Sequence, residues 1–561
     1  MNFSRAAARA RSKVSAGVRA RVRGRVGKAS KGIPQRAEPG SDRIAGNTVA
    51  NKAGAPDSSP GHTVADRPVA DKRGAISHAE VRTIFFGLML AAFLAALNQT
   101  IIATALPTIG RRFADFESLS WVVTAYLLTS TAVAPLYGKL SDIHGRRAML
   151  LAAVGLFVAG SVLCAAAPDM LLLILGRGLQ GLGGGGILPL CQSVIADVVA
   201  PRERGRYQAY MGVVWVTSGV FGPVLGGVFA EYWDWSVIFW LNVPLGLAAA
   251  VLIHVHLARI PRHERKHKLD LLGAALMMGS AIPLLLALTW GGTQYSWVSP
   301  EIFGLLAASL VLSLAFGWRL TRAAEPFLPL TVLQNPVMRW GTTCGSLAMG
   351  VSIGLTILVP LYFEVVHKLS ATESGIALIP LALTTPGSLL SGQAMLYWRH
   401  YKRAPIIGLI CSLVALAFLV WRPDLSLTYV TVVLGVVGTA IGLVYPVTTV
   451  AIQNAVPYYQ VGIAMGALNF FRALASAFAV AVMGAILLAG FGVTPQRGAA
   501  VSVVTSTMSA SGADAADVFR WVFACAWIFL AIALAALLLM EERPLRSTPA
   551  GSDPTGPAPA E

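Results

Sequence analysis

Charged residues are scarce in this chain of 561 residues. Asp, Glu, Lys and Arg together make up 13% of it, whereas soluble domains carry about 25%. Hydrophobic residues reach 55%, and the mean hydropathy is +0.65. Most of the chain therefore cannot face water, and this excludes an ordinary soluble protein.

Cysteine is also rare. The five cysteines are odd in number, lie in apolar stretches and form no CxxC pair. This pattern is typical of small buried hydrophobic side chains. We therefore expect neither disulfides nor a metal site. The five are Cys164, Cys191, Cys344, Cys411 and Cys525.

Signatures of several other function classes are missing. The chain has no GxSxG nucleophile elbow on a soluble sheet and no P-loop of the form GxxxxGK[ST]. The run Gly183–Gly186 lies in an apolar stretch and lacks the lysine that would hold phosphate. Channel filter loops and charged rings are not evident either. An enzyme, an ATP-driven pump and a channel are therefore not favoured, and we expect no cofactor.

Apolar runs long enough to cross a bilayer recur along the chain. A span of lipid needs about 20 apolar residues, and its backbone must satisfy its own hydrogen bonds. We therefore predict an all-α integral membrane protein with fourteen transmembrane helices. The predicted helices cover residues 83–107, 121–141, 148–167, 171–196, 207–230, 236–256, 270–290, 301–318, 338–362, 373–395, 405–421, 426–452, 461–490 and 518–540.

Basic residues predict the direction of these helices. Loops that would share one side hold 19 Lys and Arg, against 6 on the other. The side richer in Lys and Arg faces the cytoplasm. We therefore expect a multi-pass protein of the cell (inner) membrane with both termini cytoplasmic.

The net charge of +17 is concentrated at the N-terminus. Residues 1–80 hold 16 basic and 6 acidic residues, a net +10 (16 − 6), and lack apolar content for a core. A cytoplasmic tail near anionic lipid is favoured, a transit peptide or a misassigned start codon is an alternative, and nucleic-acid binding is not expected. The domain organisation follows from the spans and the tails. We expect a basic disordered tail at 1–80, a six-helix bundle at 83–256, two linker helices at 270–318, a second six-helix bundle at 338–540 and a disordered cytoplasmic tail at 541–561.

The most informative stretch is Gly138-Lys-Leu-Ser-Asp-Ile-His-Gly-Arg-Arg-Ala-Met-Leu150, between two apolar runs. Gly138 would let one helix approach another closely, and Gly145 would allow a tight turn. Asp142 can accept hydrogen bonds from an arginine or a helix N-terminus, while Arg146 and Arg147 can anchor at the interface. We expect this loop to form a cytoplasmic gate that holds two helical halves together.

Two further motifs follow along the chain. The fourth predicted helix has RxxQGxG, with Arg177, Gln180, Gly181 and Gly183. The fifth has GxxGPxxGG, where Pro223 would bend the helix and the glycines would allow close packing. Its residues are Gly219, Gly222, Pro223, Gly226 and Gly227.

These motifs resemble those of the major facilitator superfamily, in particular the fourteen-helix drug:proton antiporters of the EmrB/QacA type. The resemblance covers about residues 83–540 and implies six plus two plus six helices. It also implies export of amphipathic small molecules by alternating access, driven by a proton gradient. Export of one endogenous metabolite or siderophore is an alternative, and an adaptor protein could carry substrate through a second membrane.

One position departs from that family. The family usually has Asp in the first helix where this chain has Asn98. An amide does not exchange a proton near neutral pH, so Asn98 cannot couple transport to protons. Arg177, Glu364 and Asp142 remain as candidates for proton coupling. The missing acid also suggests neutral or anionic substrates in preference to cations.

Polar and aromatic residues of several helices are candidates for the substrate cavity. They combine hydrogen-bonding groups with rings that could form a tolerant apolar pocket. The candidates are Asn98, Gln99, Thr100, Thr104, Tyr126, Gln180, Trp215, Tyr445, Asn469 and Arg472.

Overall fold

The computed structural model describes residues 78–259, 269–398, 400–422, 425–492 and 515–545. Within these ranges fourteen helices are long and apolar enough to cross a membrane, which confirms the predicted number. They are α1 (Arg82–Phe113), α2 (Leu119–His144), α3 (Arg146–Ala165), α4 (Met170–Val198), α5 (Pro201–Tyr232), α6 (Val237–His256), α7 (Leu271–Trp290), α8 (Pro300–Arg322), α9 (Pro336–Val365), α10 (Thr372–Tyr397), α11 (Arg403–Trp421), α12 (Leu427–Ala455), α13 (Tyr458–Gly490) and α14 (Ala515–Leu539).

Two helix ends differ from the prediction by about six residues. The first helix was expected to end at Pro107, but α1 continues through it to Phe113. Neighbouring helices can compensate for the backbone bond that a proline removes inside a membrane. The fifth helix was expected from residue 207, but α5 begins at Pro201. Proline suits a first helical position because its fixed φ is helical and its missing N–H would have had no partner.

Short polar side chains begin several helices. Asp169 accepts a hydrogen bond from the Leu172 N–H at 2.8 Å, at the start of α4. Asp270 accepts one from the Gly273 N–H at 3.0 Å, at the start of α7. Ser299 accepts one from the Ile302 N–H at 3.3 Å, at the start of α8. Each cap satisfies a backbone donor that the helix itself cannot.

The helices pack as two groups of six with a pair between them in sequence. In the first group α4 packs on α2 and α3, and α1 packs on α5 and α6. In the second group α9 packs on α12, α13 and α14, and α12 packs on α10 and α11. The two groups meet along two seams, α2 against α13 and α5 against α10. The remaining pair, α7 and α8, pack on each other, and α7 also contacts α2 and α13.

Each group of six has its own apolar core. Phe157 and Leu190 are fully buried in the first group, and Leu434 and Phe523 are buried in the second. Outward faces are apolar as well, as expected for helices that contact lipid tails. On α8, for example, four large hydrophobic side chains are 60–65% exposed. They are Leu310, Val311, Leu314 and Trp318.

Four of the five cysteines are buried, as expected. Cys411 is exposed, so the expectation of a buried side chain is wrong for it. It lies on α11, where neighbouring apolar side chains such as Ile410 and Val414 are also exposed. A small thiol is compatible with a lipid-facing position because it behaves as a weak hydrophobe.

Candidate functional site

Asp142 joins the two groups of six helices at one end of the bundle. Its side chain is 8% exposed and forms an ion pair with Arg146. Its oxygens also accept the backbone N–H groups of Gly462 at 3.1 Å and Ile463 at 2.9 Å. These donors lie at the start of the α-helix in α13, where N–H groups have no partner within the helix. A carboxylate also suits the positive end of the helix dipole.

Arg146 extends this contact to two more elements. Its Nε lies 3.1 Å from an oxygen of Asp197 at the end of α4. Its Nη1 also donates to the Ser141 hydroxyl at 2.6 Å, and its Nη2 reaches the Tyr458 carbonyl at 3.5 Å. One guanidinium thus links α2, α3, α4 and α13. We call Asp142, Arg146, Asp197 and the start of α13 the clasp, and the end of the bundle that holds it the clasp end.

Glycines make this close contact possible. A Cβ atom on Gly138 would collide with the carbonyl group of Gly462. Gly145 has φ 90° and ψ 147°, a conformation that strains other residues. Arg147 lies outside the clasp, where its Nη2 is 3.1 Å from Nδ1 of His254 on α6. Of the five residues predicted for the gate, four therefore lie together and Arg147 anchors a neighbouring helix.

The second seam is closed by a different set of contacts. A Cβ on Gly392 of α10 would meet the backbone of Gly205 on α5 at 2.7 Å. Arg202 donates to the Leu396 carbonyl at 3.2 Å, and the Thr385 hydroxyl donates to the Gly212 carbonyl at 3.3 Å. This seam was not predicted, although small residues are a signal of close helix packing in membranes.

A polar bridge crosses between the groups deeper in the bundle. Asn469 of α13 donates to the side-chain oxygen of Gln192 on α4 at 2.7 Å. Gln453 of α12 donates to the Gln192 backbone carbonyl at 3.0 Å. Gln192 was not among the predicted site residues, although a glutamine inside an apolar helix is itself a signal of a polar contact. These contacts between the groups lie within about 17 Å of the clasp end, because each lies within about eleven residues of a helix end there.

Arg177 lies inside the first group and is 1% exposed. Its Nε donates to the Val122 carbonyl at 2.8 Å, and its Nη1 donates to Asn98 at 3.1 Å and also to Gln180. The guanidinium lies over the ring of Tyr126, 4.5 Å from its centre. Gln180 in turn donates to the Ser161 hydroxyl at 2.7 Å. The buried cation is therefore held by neutral acceptors and an aromatic ring.

This arrangement corrects part of the predicted cavity. Asn98, Tyr126 and Gln180 are at most 1% exposed and surround Arg177, so in this conformation they do not line an open space. The reason is that a buried guanidinium needs acceptors, and these side chains provide them. Asn98 also lies 3.5 Å from Asn242 of α6.

The other candidates of the first group have mixed positions. Thr100 donates to the Ser218 carbonyl at 2.8 Å and so joins α1 to α5. Thr104 is exposed, and Gln99 and Trp215 are half-buried. These last three keep surface that a substrate could contact.

Arg472 lies in the second group, between α9, α12 and α13. Its Nη2 donates to the hydroxyls of Thr448 at 3.2 Å and Thr449 at 3.0 Å. Its guanidinium carbon is 5.6 Å from the centre of the Tyr445 ring. Tyr445 is half-buried, and its hydroxyl contacts the Met349 sulfur at 3.1 Å. Arg472, Tyr445 and Asn469 are thus close together, as candidates from one cavity should be.

The three candidates for proton coupling do not form one cluster. Glu364 is half-buried and is the last residue but one of α9, at the end of the bundle away from the clasp. Asp142 lies in the clasp, and Arg177 is buried within the first group.

The motif of α5 packs through two of its four glycines. A Cβ on Gly222 would collide with the Thr100 side chain, and one on Gly226 would collide with the Ile101 carbonyl of α1. Gly219 and Gly227 have nothing within 4 Å of an added Cβ. The expectation that all four permit close packing is therefore wrong. Residues four apart share a helix face, and only the face with Gly222 and Gly226 meets α1.

The basic loop between α6 and α7 contains an HExxH spacing, from His263 to His267. In some helices two histidines at this spacing bind zinc. These residues lie outside the described part of the chain, as do residues 1–77 and 546–561, for which tails were predicted. In the described ranges no group of three or more His, Cys, Asp or Glu side chains could hold a metal ion.

Comparison with solved structures supports the fold. The human organic anion transporter MFSD10 aligns with a TM-score of 0.55 at 16% identity, covering 82% of this chain and 99% of that one. The proton:xylose symporter XylE aligns with a TM-score of 0.54 at 14% identity, covering 82% and 95%. At such low identity the likeness concerns the fold alone.

Comparison with known sequences gives the family. An uncharacterized MFS-type transporter of Mycobacterium tuberculosis, Rv1877, is 35% identical over 75% of this chain, and the match spans 62% of that protein's length. The multidrug transporter MdtP of Bacillus subtilis is 32% identical over 72% of this chain and 75% of its own length. The efflux pump FUS6 of Gibberella fujikuroi is 33% identical over 75% and 77%.

The family model of the Major Facilitator Superfamily matches residues 88–480, well over half of the chain. The fourteen spans agree with the fourteen-helix efflux branch that the motifs resemble. The chain is a member of the major facilitator superfamily of membrane transporters, and its relatives include multidrug and other efflux pumps.

Proposed function

We propose that this transporter exports amphipathic small molecules across the cell membrane by alternating access. The clasp end faces the cytoplasm, and both termini lie on that side. The observation that carries the proposal is the contact of Asp142 with the start of α13. It joins the two groups at one end through a few hydrogen bonds, which a rocking movement could break and remake.

Two further features support this mechanism. The described hydrogen bonds between the groups lie in the half of the bundle nearer the clasp. Beyond them, the apolar side chains Phe221 on α5 and Ile379 on α10 are 53% and 63% exposed. The conformation is therefore closed on the clasp side. Opening the clasp would expose the space between the groups to the cytoplasm.

The names of the relatives support a broad range of substrates. MdtP is named a multidrug transporter, and FUS6 is named an efflux pump. These names favour multidrug export over a dedicated exporter of one endogenous metabolite. An adaptor that carries substrate through a second membrane would contact the end away from the clasp.

The energy source in this proposal is inward proton flow. Asp142 and Glu364 are the titratable candidates, and Arg177 could adjust the charge between states. Asn98 cannot take part as an acid. Coupling would therefore use a carboxylate near one end of the bundle, since no acid replaces Asn98 on α1.

Transport by the purified protein, in vesicles that contain a pH-sensitive dye, tests both export and proton coupling. Adding a neutral or anionic amphipathic substrate should change the internal pH, while the substrate moves in the direction opposite to the protons. A Glu364→Gln variant should lose the pH change, and a Glu301→Gln variant on α8 serves as the matched control. Substrate movement with no pH change would refute proton coupling but not export. No substrate movement across a wide panel would refute export itself.

A further inference from the structure

Negative charge is confined to the ends of the membrane spans. Every Asp or Glu within the fourteen spans lies within two residues of a span end. Arg177 and Arg472 lie much deeper, seven and fourteen residues from the nearest span end, and are 1% and 9% exposed. A buried cation in a membrane protein normally pairs with an acid or lines a pathway. The middle of this bundle thus carries positive charge with no carboxylate beside it.

The two arginines differ in how well they are satisfied. Arg177 makes hydrogen bonds with three acceptors and lies over an aromatic ring, so its charge is stabilised by residues of the first group. Arg472 uses Nη2 alone for its described hydrogen bonds, with two threonine hydroxyls. Its Nε is buried and has no hydrogen-bond partner. The Nε–H of this guanidinium is therefore open to an acceptor that the described residues do not supply.

No described acid neutralises Arg472. The ion pairs of the described residues involve other cations, at the clasp and near span ends. The threonines and the Tyr445 ring are neutral. A guanidinium N–H forms its strongest hydrogen bonds with an anionic acceptor such as a carboxylate or a phosphate-like group.

The position of Arg472 is suited to a substrate. It lies one helical turn beyond Asn469 on α13, and Asn469 makes the bridge to Gln192 of the first group. It is fourteen residues from the start of α13, about 21 Å into the bundle. Arg472 thus lies just past the last described polar contact between the groups on this helix. Half-buried Tyr445 offers a ring next to the charge, as an amphipathic anion would require.

We propose that Arg472, with Thr448, Thr449 and Tyr445, forms a binding site for the anionic group of the substrate. This rests on the proposed export function and narrows it: the preferred cargo is an amphipathic anion, not a cation. Substrate binding would supply the acceptor that Arg472 lacks. The same anionic chemistry occurs in lipid headgroups, so the test must separate the two sources.

Binding of two dyes with one scaffold tests the charge preference. Fluorescein is anionic and rhodamine 123 is cationic, and both have a xanthene ring. Their affinities for the full chain in nanodiscs of phosphatidylcholine can be measured by fluorescence anisotropy. Fluorescein should bind at least about ten-fold more tightly, since one charge-assisted hydrogen bond contributes that much.

Variants then assign the preference to Arg472. Arg472→Gln should weaken fluorescein binding about ten- to a hundred-fold and change rhodamine 123 binding by less than about two-fold. Arg472→Lys should restore part of the fluorescein affinity. Arg339→Gln, on an exposed arginine near the clasp end of α9, is the matched control and should change neither affinity.

Three results would overturn the proposal. They are a preference for rhodamine 123 or no binding of fluorescein, an equal loss of both dyes in Arg472→Gln, and displacement of fluorescein by added phosphatidylglycerol, which would assign the site to lipid. Failure of export is separable, because it would appear as normal anion binding with no movement of either dye across a vesicle membrane.

Discussion

Replacing Asp142 with asparagine should open the clasp. The substitution keeps the size of the side chain but removes its charge and one of its two acceptor oxygens. The wild-type carboxylate accepts two backbone N–H groups of α13, at 3.1 and 2.9 Å, and pairs with Arg146. Asparagine can accept at most one of these N–H groups well, and its amide group would face the other donor.

The magnitude follows from these contacts. A hydrogen bond to a charged group contributes about 1.5–3 kcal/mol, and a neutral one about 1 kcal/mol. Arg146 keeps Asp197 at 3.1 Å, so no unpaired cation is left. We expect the closed clasp to lose about 2–4 kcal/mol relative to the open one, a shift of about 30- to 700-fold in their ratio.

Distances between spin labels measure this shift. Labels on cysteines introduced at His144 and Tyr459, both exposed at the clasp end, report whether α2 and α13 separate. The wild type should show mainly the short distance, and Asp142→Asn should add a population with a longer one. Asp169→Asn, at a helix cap at the opposite end, is the matched control and should behave as the wild type. An unchanged distance distribution in Asp142→Asn would refute the reasoning.

Three further changes test other parts of the structure. Gly462→Ala should open the clasp as well, because its Cβ would collide with the Gly138 backbone and the Arg146 side chain. Gly484→Ala on the same helix is the control, because its Cβ has open space and should leave the clasp closed. Equal distances between the spin labels in the two variants would contradict this. Asn98→Asp should raise the free energy of unfolding by about 1–3 kcal/mol, because it gives Arg177 a negative partner where Nη1 now lies 3.1 Å from the Asn98 side-chain oxygen. A lower melting temperature would count against this. Burial alone would raise the pKa of Asp270, but the Gly273 N–H and Arg319 lower it below 3.8, so the stability that the carboxylate provides is present above about pH 4 and is lost as the pH falls further. In Asp270→Asn the melting temperature should therefore fall less between pH 5 and pH 3 than in the wild type, and an unaltered pH dependence would oppose this.

The fold could be predicted from the sequence largely because membrane spans leave a strong signal. Long apolar runs must be helices in lipid, so the number of spans followed from hydropathy. Helix ends were less predictable. Pro107 suggested an end for α1, but the packing of α1 on α5 and α6 extends this helix six residues further.

The candidate site was predictable where one short segment holds its parts. The spacing from Gly138 to Arg146 indicated a contact with another helix, but its partner, the start of α13, is some 320 residues away and leaves no local signal. Gln192 did leave a local signal, a glutamine inside an apolar helix, but the partner of its contact on α13 is equally distant in the sequence. Asn98 and Gln180 were placed on the cavity because they are polar, whereas their position follows from the needs of buried Arg177.

Reversible cross-linking of the clasp end tests alternating access most directly. The cysteines introduced at His144 and Tyr459, with Cys411 replaced by serine, can be joined by a short cleavable bis-maleimide. Dye export by this variant in vesicles should stop once the link forms and return when the link is cleaved. Full export by quantitatively cross-linked protein would contradict the account, because the two groups could then not separate at the clasp.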